Sequence, residues 1–299
     1  MKRKPFEAFS TDRTDDAHVL LLGVPFDGGA SAGRGAAAAP DRIREASRIV
    51  SAITEEGHIF KALKMKDEGD VPLDLDWARY FKKVEDKAFD LLQQGKFCLF
   101  LGGDHSVTIP LEIAFARAFS QEKVGIIHFD SHPDIALEYD GHCWSHACTQ
   151  RRALEQPNVD PAGLTYLGIR SYMEDELEFL SAHPEIRVLG AREIYLRGVD
   201  FALKEVKERY QGYDAIYMTI DIDVLDPAFA PGTGTPEAGG LTTRELMELV
   251  RGMVEALPVK AVDLVEVAPP LDQSDITTWA ALKIIYEILG AQARKQGLL

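Results

Sequence analysis

Cysteine is scarce in this chain: three among 299 residues, Cys98, Cys143 and Cys148. An odd number so thinly spread, with no secretory signal ahead of it, argues against a disulfide framework and for reduced thiols. Long apolar runs are missing as well. No stretch approaches the roughly 18 uninterrupted apolar residues of a membrane span, and the opening "MKRKPFEAFSTDRTDD" puts basic residues before no apolar segment. A soluble, cytoplasmic protein without a membrane partner is the expectation. Basic charge is also in deficit, with 33 Lys and Arg against 48 Asp and Glu and a formal net charge of −15. That balance speaks against the basic stripe of a nucleic-acid surface and would suit a small cationic substrate.

What is present is apolar material for a sizeable core, 46% of the chain, arranged as short runs rich in Val, Ile and Phe. These are "HVLLLGVPF", "KFCLFLGG", "KVGIIHFD", "LTYLGIR", "IRVLG", "DAIYMTIDID" and "VKAVDLVEV". Between them lie stretches with apolar residues at helical spacing, among them "DRIREASRIV", "VEDKAFDLLQQG", "TRELMELVRGMVEAL" and "ITTWAALKIIYEILGAQARKQ". Short buried runs alternating with amphipathic helices predict an α/β fold, a three-layer α/β/α domain around a mainly parallel sheet. No repeat or linker breaks the order, so the expectation is a polar arm over residues 1–16 and one domain over 17–299.

In such sheets ligands bind beyond the carboxyl ends of the strands. Four runs end in polar clusters: "FLGG" in Asp104, His105 and Ser106, "GIIHF" in Asp130, Ser131 and His132, "AIYMTI" in Asp221, Ile222 and Asp223, and "AVDLV" in Glu266. With Asp134 added, the rim offers two imidazoles, His105 and His132, and four carboxylates, Asp130, Asp134, Asp221 and Asp223. An i, i+2 pair such as Asp221 and Asp223 points to one side of an extended chain. Two divalent cations would neutralise four carboxylates that otherwise repel one another and take up protons. Oxygen-rich ligation without thiolate favours Mn²⁺ over a structural zinc, with Ni²⁺ and Co²⁺ as alternatives. A paired-metal centre lowers the pKa of a shared water and so suits hydrolysis. Simpler readings exist for single residues: Asp104 or Ser106 as a helix cap, and Asp226-Pro227 as a turn. The segment "GHCWSHAC", with His142, His146, Cys143 and Cys148, allows a separate zinc site, though its spacing fits no common finger.

The blocks "GGDHS" (102–106), "HFDSHPD" (128–134), "SHA" (145–147), "TIDIDVLDPAFAPGTGTPEAGGL" (219–241) and "DLVEVAPP" (263–270) together resemble, in order, the signature blocks of the ureohydrolases, the arginase and agmatinase family. "GVPFDGG" and "APDRIREAS" are similar too, so the resemblance runs from about residue 19 to the end. It implies two Mn²⁺ per subunit. One would be held by His105, Asp130, Asp134 and Asp221, the other by Asp130, His132, Asp221 and Asp223, with Asp130 and Asp221 bridging. It further implies that a hydroxide between the ions attacks a guanidinium carbon and hydrogen-bonds to Asp134. Glu266 would pair with the guanidinium, and His146 would shuttle protons to the leaving amine. Urea and an amine would be the products, and the assembly a trimer or hexamer.

Within the central block this chain has Ser131 where most of that family has Ala, and Pro133 at a variable position; both fall between ligands. The loop "IALEYDGHCWSH" lacks the Asn and Ser expected to grip an amino-acid head group and offers Glu138, Tyr139, Asp140 and Trp144 instead. Tyr139 and Trp144 are candidate substrate contacts, together with Glu266 and His146. Acidic and aromatic groups suit a second cation, and "GTPEAGGL", with Glu237, looks more like agmatinases than arginases. Agmatine, cleaved to putrescine and urea, is the expected substrate. Alternatives are a guanidinobutyrase, a guanidinopropionase or an arginase. From other classes come a two-metal phosphoesterase, for which the Gly-Asn-His turn is missing, and a non-catalytic binding protein.

Overall fold

The structure is a computed structural model, and it describes residues 4–60 and 62–299. Eight strands form one sheet: β1 (Val19–Gly23), β2 (Met65–Asp70), β3 (Phe97–Leu101), β4 (Val124–Phe129), β5 (Leu164–Leu167), β6 (Arg187–Leu189), β7 (Ala215–Asp221) and β8 (Val259–Val265). Their order is β2-β1-β3-β8-β7-β4-β5-β6, and every pairing is parallel.

Side-chain alternation builds the layers. Val19 and Leu21 of β1 face a core shared with the helices Ala39–Ser47, Thr243–Ala256 and Ile276–Lys295. Leu20 and Leu22 face the opposite core, with the helices Trp77–Leu92 and Thr108–Ala118. Both faces are therefore buried, which is why the interior strands read as continuous apolar runs. The result is the three-layer α/β/α domain expected.

Seven strands match the seven apolar runs, and β2 is the addition. Its sequence, Met-Lys-Asp-Glu-Gly-Asp, is polar because it is an edge strand paired only with β1. Its charges also have a partner. The guanidinium of Arg44 binds both oxygens of Asp67 at 2.8 and 2.9 Å and Asp70 at 2.6 Å. A charged, pinned edge resists pairing with other chains.

Of the arm expected over 1–16, residues 1–3 lie outside the described residues. From there on the arm is less polar in its contacts than in its composition: Phe6 and Phe9 are buried in the core beside Phe60 and Tyr286, and Thr11 N–H donates to Met65 O at 2.9 Å.

One core carboxyl yields a stability prediction. Glu112, on the helix Thr108–Ala118, is 2% exposed. It accepts a hydrogen bond from Gln150 Nε2 at 3.0 Å, and burial pushes its pKa up to about 8. The folded state thus holds a proton that the unfolded state releases near 4.5, so stability declines as pH rises from about 4.5 to about 8. In Glu112→Gln this contribution is absent. Urea unfolding from pH 5 to 8 should show the variant gaining on the parent by up to about 1.4 kcal/mol per pH unit; parallel pH profiles would contradict it.

Candidate metal centre

Four neighbouring strands in the middle of the sheet, β3, β8, β7 and β4, deliver the polar clusters to one rim. After β3 the chain turns through Gly102 and Gly103. A Cβ at Gly103 would lie 1.7 Å from Phe26 O, so only glycine lets these backbones meet. Asp104 then caps the short turn His105–Val107, accepting from Ser106 N at 3.0 Å. Its other oxygen accepts from Gly29 N at 2.6 Å. Asp104 is thus a structural cap, and Asp226 a turn residue accepting from Ala228 N and Gly239 N.

The turn places His105 at 0% exposure with Nδ1 3.0 Å from Asp130 Oδ2, 3.0 Å from Asp134 Oδ2 and 3.1 Å from Asp221 Oδ2. Its Nε2 lies 2.9 Å from Thr219 Oγ1. With Nε2 donating to Thr219, Nδ1 is the ring atom turned to the three carboxylates, where a neutral ring would offer its lone pair to a cation held among them. Ligand atoms about 2.1 Å from a small octahedral cation are themselves about 3.0 Å apart, which is the spacing found.

A second group adjoins the first through Asp130. His132 Nδ1 lies 3.2 Å from Asp223 Oδ2 and 3.5 Å from Asp130 Oδ1. Asp223 Oδ1 accepts from Ser131 N at 3.0 Å and Ser131 Oγ at 2.8 Å, so the serine braces this group rather than merely separating ligands. Asp221 Oδ1 accepts from Asp223 N at 2.8 Å. Among the described residues, two clusters have the donor spacing of a metal site: His105, His128, Asp130 and Asp134, and Asp130, His132 and Asp223. The residues present fit a pair of divalent cations. All six residues picked from the sequence converge; the zinc alternative around His142 does not form, since His142 packs on Trp77 and Trp144.

Electrostatics support the same reading. Burial opposes charge on His105, but Asp130, Asp134 and Asp221 outweigh it and raise its pKa well above the usual value. His132 is likewise desolvated yet raised, to about 12, by Asp130 and Asp223. Burial and the neighbouring Asp130 push Asp134 up to about 7, and burial with Asp223 raises Asp221. Without cations the site stores protons in their place. Asp134 and Glu266 both adopt left-handed backbone, φ 49° and 60°, a strain that recurs at functional sites.

A cavity of about 170 Å³ opens beside the centre, lined by His132, Asp134, His146, Tyr139, Ser31, Tyr172, Met173 and Glu176 among others. His146 Nδ1 donates to Gly29 O at 2.6 Å, which leaves Nε2 as an acceptor, 3.3 Å from Ser31 Oγ. Burial lowers its pKa, so the ring is neutral near pH 7. Glu266 is 4% exposed beneath the rim, its Oε1 accepting from His105 N at 2.7 Å; burial, then the charge of Asp104, raises its pKa.

The loop after Asp134 is partly redrawn. Tyr139 lines the cavity, held over the His146 ring by a tight turn whose central Asp140 and Gly141 both have positive φ, the geometry an Asp-Gly pair favours. Trp144 is a correction: it does not line the cavity but packs on Phe81, filling a gap above the core. Glu138 and Asp140 are exposed, and Glu237 accepts from Arg170 through its backbone carbonyl. Besides Asp134, the acidic group that lines the cavity is Glu176, 2% exposed, in the first turn of the helix Glu174–Ala182 that follows β5. The segments after β1 and β5 bring Ser31, Tyr172, Met173 and the helical Glu176 from rim positions that the sequence marks only by "DGGAS" and "GIRSYMEDE" at the ends of apolar runs.

Central strands that gather two imidazoles and four carboxylates at one rim define an α/β protein with a donor set for paired divalent cations. Residues 17–290 match the Arginase family, and the chain belongs to it. It is 37% identical to the agmatinase of Proteus mirabilis over 95% of this chain and 90% of that protein. It is 35% identical to the guanidinopropionase of Pseudomonas aeruginosa, over 92% and 87%. The crystal structure of a hypothetical agmatinase from Burkholderia thailandensis superposes with a TM-score of 0.88 at 32% identity, covering 98% and 91% of the two chains.

Proposed function

We propose that this chain is a Mn²⁺-dependent ureohydrolase that cleaves agmatine to putrescine and urea. The observation that carries the substrate choice is the lining of the cavity: Glu176, Tyr139, Tyr172 and Met173 and, among the described residues, no Lys or Arg. A carboxylate-bearing tail, as in guanidinopropionate or arginine, finds no countercharge there, whereas an ammonium finds Glu176. Both Glu176 oxygens already accept backbone N–H bonds, from Ile135 at 3.2 Å and Met173 at 2.9 Å, which fix the carboxylate while leaving lone pairs free.

His105, Asp130, Asp134 and Asp221 would hold one cation and Asp130, His132, Asp221 and Asp223 the other. When bound, the pair supplies a nucleophile near neutral pH by lowering the pKa of a water. Asp134 orients that water, and Glu266 meets the guanidinium through charge-assisted hydrogen bonds. His146, neutral and with the Nε2 lone pair toward the cavity, first takes up the proton left on the added water oxygen and then passes it to the departing amine. Trp144 has no part in this assignment. Cytoplasmic location and a homo-oligomeric state, trimer or hexamer, belong to the same reading and rest on family membership; sedimentation tests the latter.

Urea release should be measured with agmatine, arginine, 4-guanidinobutyrate and 3-guanidinopropionate after Mn²⁺ loading. Agmatine is expected to give the highest kcat/KM, and Glu176→Gln to lower it for agmatine by about 10–100-fold, the worth of one charge-assisted contact. A preference for a carboxylate-bearing substrate would refute the assignment.

A further inference from the structure

Beneath the rim runs a second polar row that the proposed chemistry does not use. By register, Tyr166 of β5, His128 of β4, Thr219 of β7 and Asp263 of β8 stand side by side across the sheet. All four are 0% exposed. His128 lies two residues before Asp130 on the same strand face, and its Nε2 is 2.8 Å from Asp130 Oδ2. The other oxygen, Asp130 Oδ1, accepts from His132 N at 2.6 Å.

We infer that His128 is a positioning residue for Asp130, the carboxylate common to both cation positions, and is not itself a metal ligand. The inference rests on the two-cation reading. Three observations separate the roles. His105 Nδ1 faces three carboxylates and His132 Nδ1 two, whereas among the described residues His128 faces Asp130 alone. Facing a carboxylate at that distance, Nε2 must carry its proton and donate. Its Nδ1 is buried without a partner, so the ring's polar contact is the one to Asp130. The ring is also held in place, stacked 4.9 Å from His105 and edge-on 5.0 Å from Tyr166. Held from both sides, Asp130 can turn neither oxygen away from the cation positions, so its geometry is set before any cation arrives.

The test replaces the donor while keeping the space filled. In His128→Gln the amide nitrogen reaches the place of Nε2; in His128→Asn the same group is too short; His128→Phe keeps the ring without a donor. Metal-free protein is titrated with Mn²⁺, bound metal is counted by equilibrium dialysis and elemental analysis, and the coupling of the two ions is followed by electron paramagnetic resonance. The Asn and Phe variants are expected to bind two ions with about 10–100-fold weaker affinity, and Gln to recover most of that loss. At saturating Mn²⁺ the kcat of all three should return toward the parent's. If the Phe variant does not fold, the Gln and Asn pair carries the comparison. Parental affinity in both Asn and Phe would overturn the inference and leave the two-cation reading intact, as would variants that hold only one ion at saturation, since His128 would then be a ligand. A parent protein that binds no second ion would overturn both.

Discussion

Asp130→Asn is expected to abolish urea release, with a fall in kcat/KM of more than about 10³-fold, beyond the 10–100-fold typical of changes outside the ligand set. Each oxygen of this carboxylate is committed twice. Oδ1 accepts from His132 N and faces His132 Nδ1; Oδ2 accepts from His128 Nε2 and faces His105 Nδ1. An amide keeps one oxygen and puts an NH₂ group against a donor on the other side, whichever way it turns. It also removes one of the negative charges that balance two divalent cations. Elemental analysis of the purified variant should show fewer than two ions per chain at Mn²⁺ concentrations that saturate the parent. Full occupancy with full activity would remove Asp130 from the centre.

Metal binding itself should be a proton exchange, and this is the second large effect. In the metal-free protein His105 and His132 are held protonated by the carboxylates around them, His132 to about 12, while Asp134 titrates near 7 and Asp221 is raised. Cations need neutral imidazole and ionised carboxylate, so they must expel those protons. The sign is fixed: lower pH favours the protons, and affinity falls as pH falls. Calorimetric titration at pH 7.5 in two buffers of different ionisation enthalpy should report release of at least about two protons as both sites fill, one from each imidazole and the rest from Asp134 and Asp221. Between pH 8 and 6 the overall binding constant should drop by at least about 10²-fold for each pH unit, more steeply below pH 7 as Asp134 takes up its proton. A pH-independent constant without proton release would mean that the imidazoles are not ligands.

The interior of the fold was legible because parallel strands buried on both faces leave unbroken apolar runs, and β1, β3, β4, β7 and β8 are such strands. Edge strand β2 left no such trace, since half its residues meet water and its two aspartates meet Arg44. The metal-capable rim was legible because Asp and His at the ends of apolar runs have few structural uses in combination. The cavity wall was not. Glu176 and Tyr172 follow β5 in a stretch that reads like the acidic first turn of a helix, and Glu176 does serve there, its carboxylate accepting from the N–H of Met173 at the start of Glu174–Ala182. Trp144 failed the other way: a large aromatic in a rim loop suggests a contact for substrate, but Phe81 takes its face. Phe6 and Phe9 hid in a charged arm because two aromatics among polar neighbours carry no periodicity.

Cation chemistry and tail recognition come from different stretches of chain. The donors sit at the ends of the central strands, whereas Ser31, Tyr172, Met173 and Glu176 of the cavity wall come from the segments after β1 and β5, which flank that middle on either side, and Tyr139 joins them from the stretch after β4. Exchanging residues 171–176 alone should therefore redirect the enzyme toward another guanidino compound while its capacity for divalent cations stays the same. Divergence within such a lineage needs to rewrite only the vestibule, never the engine.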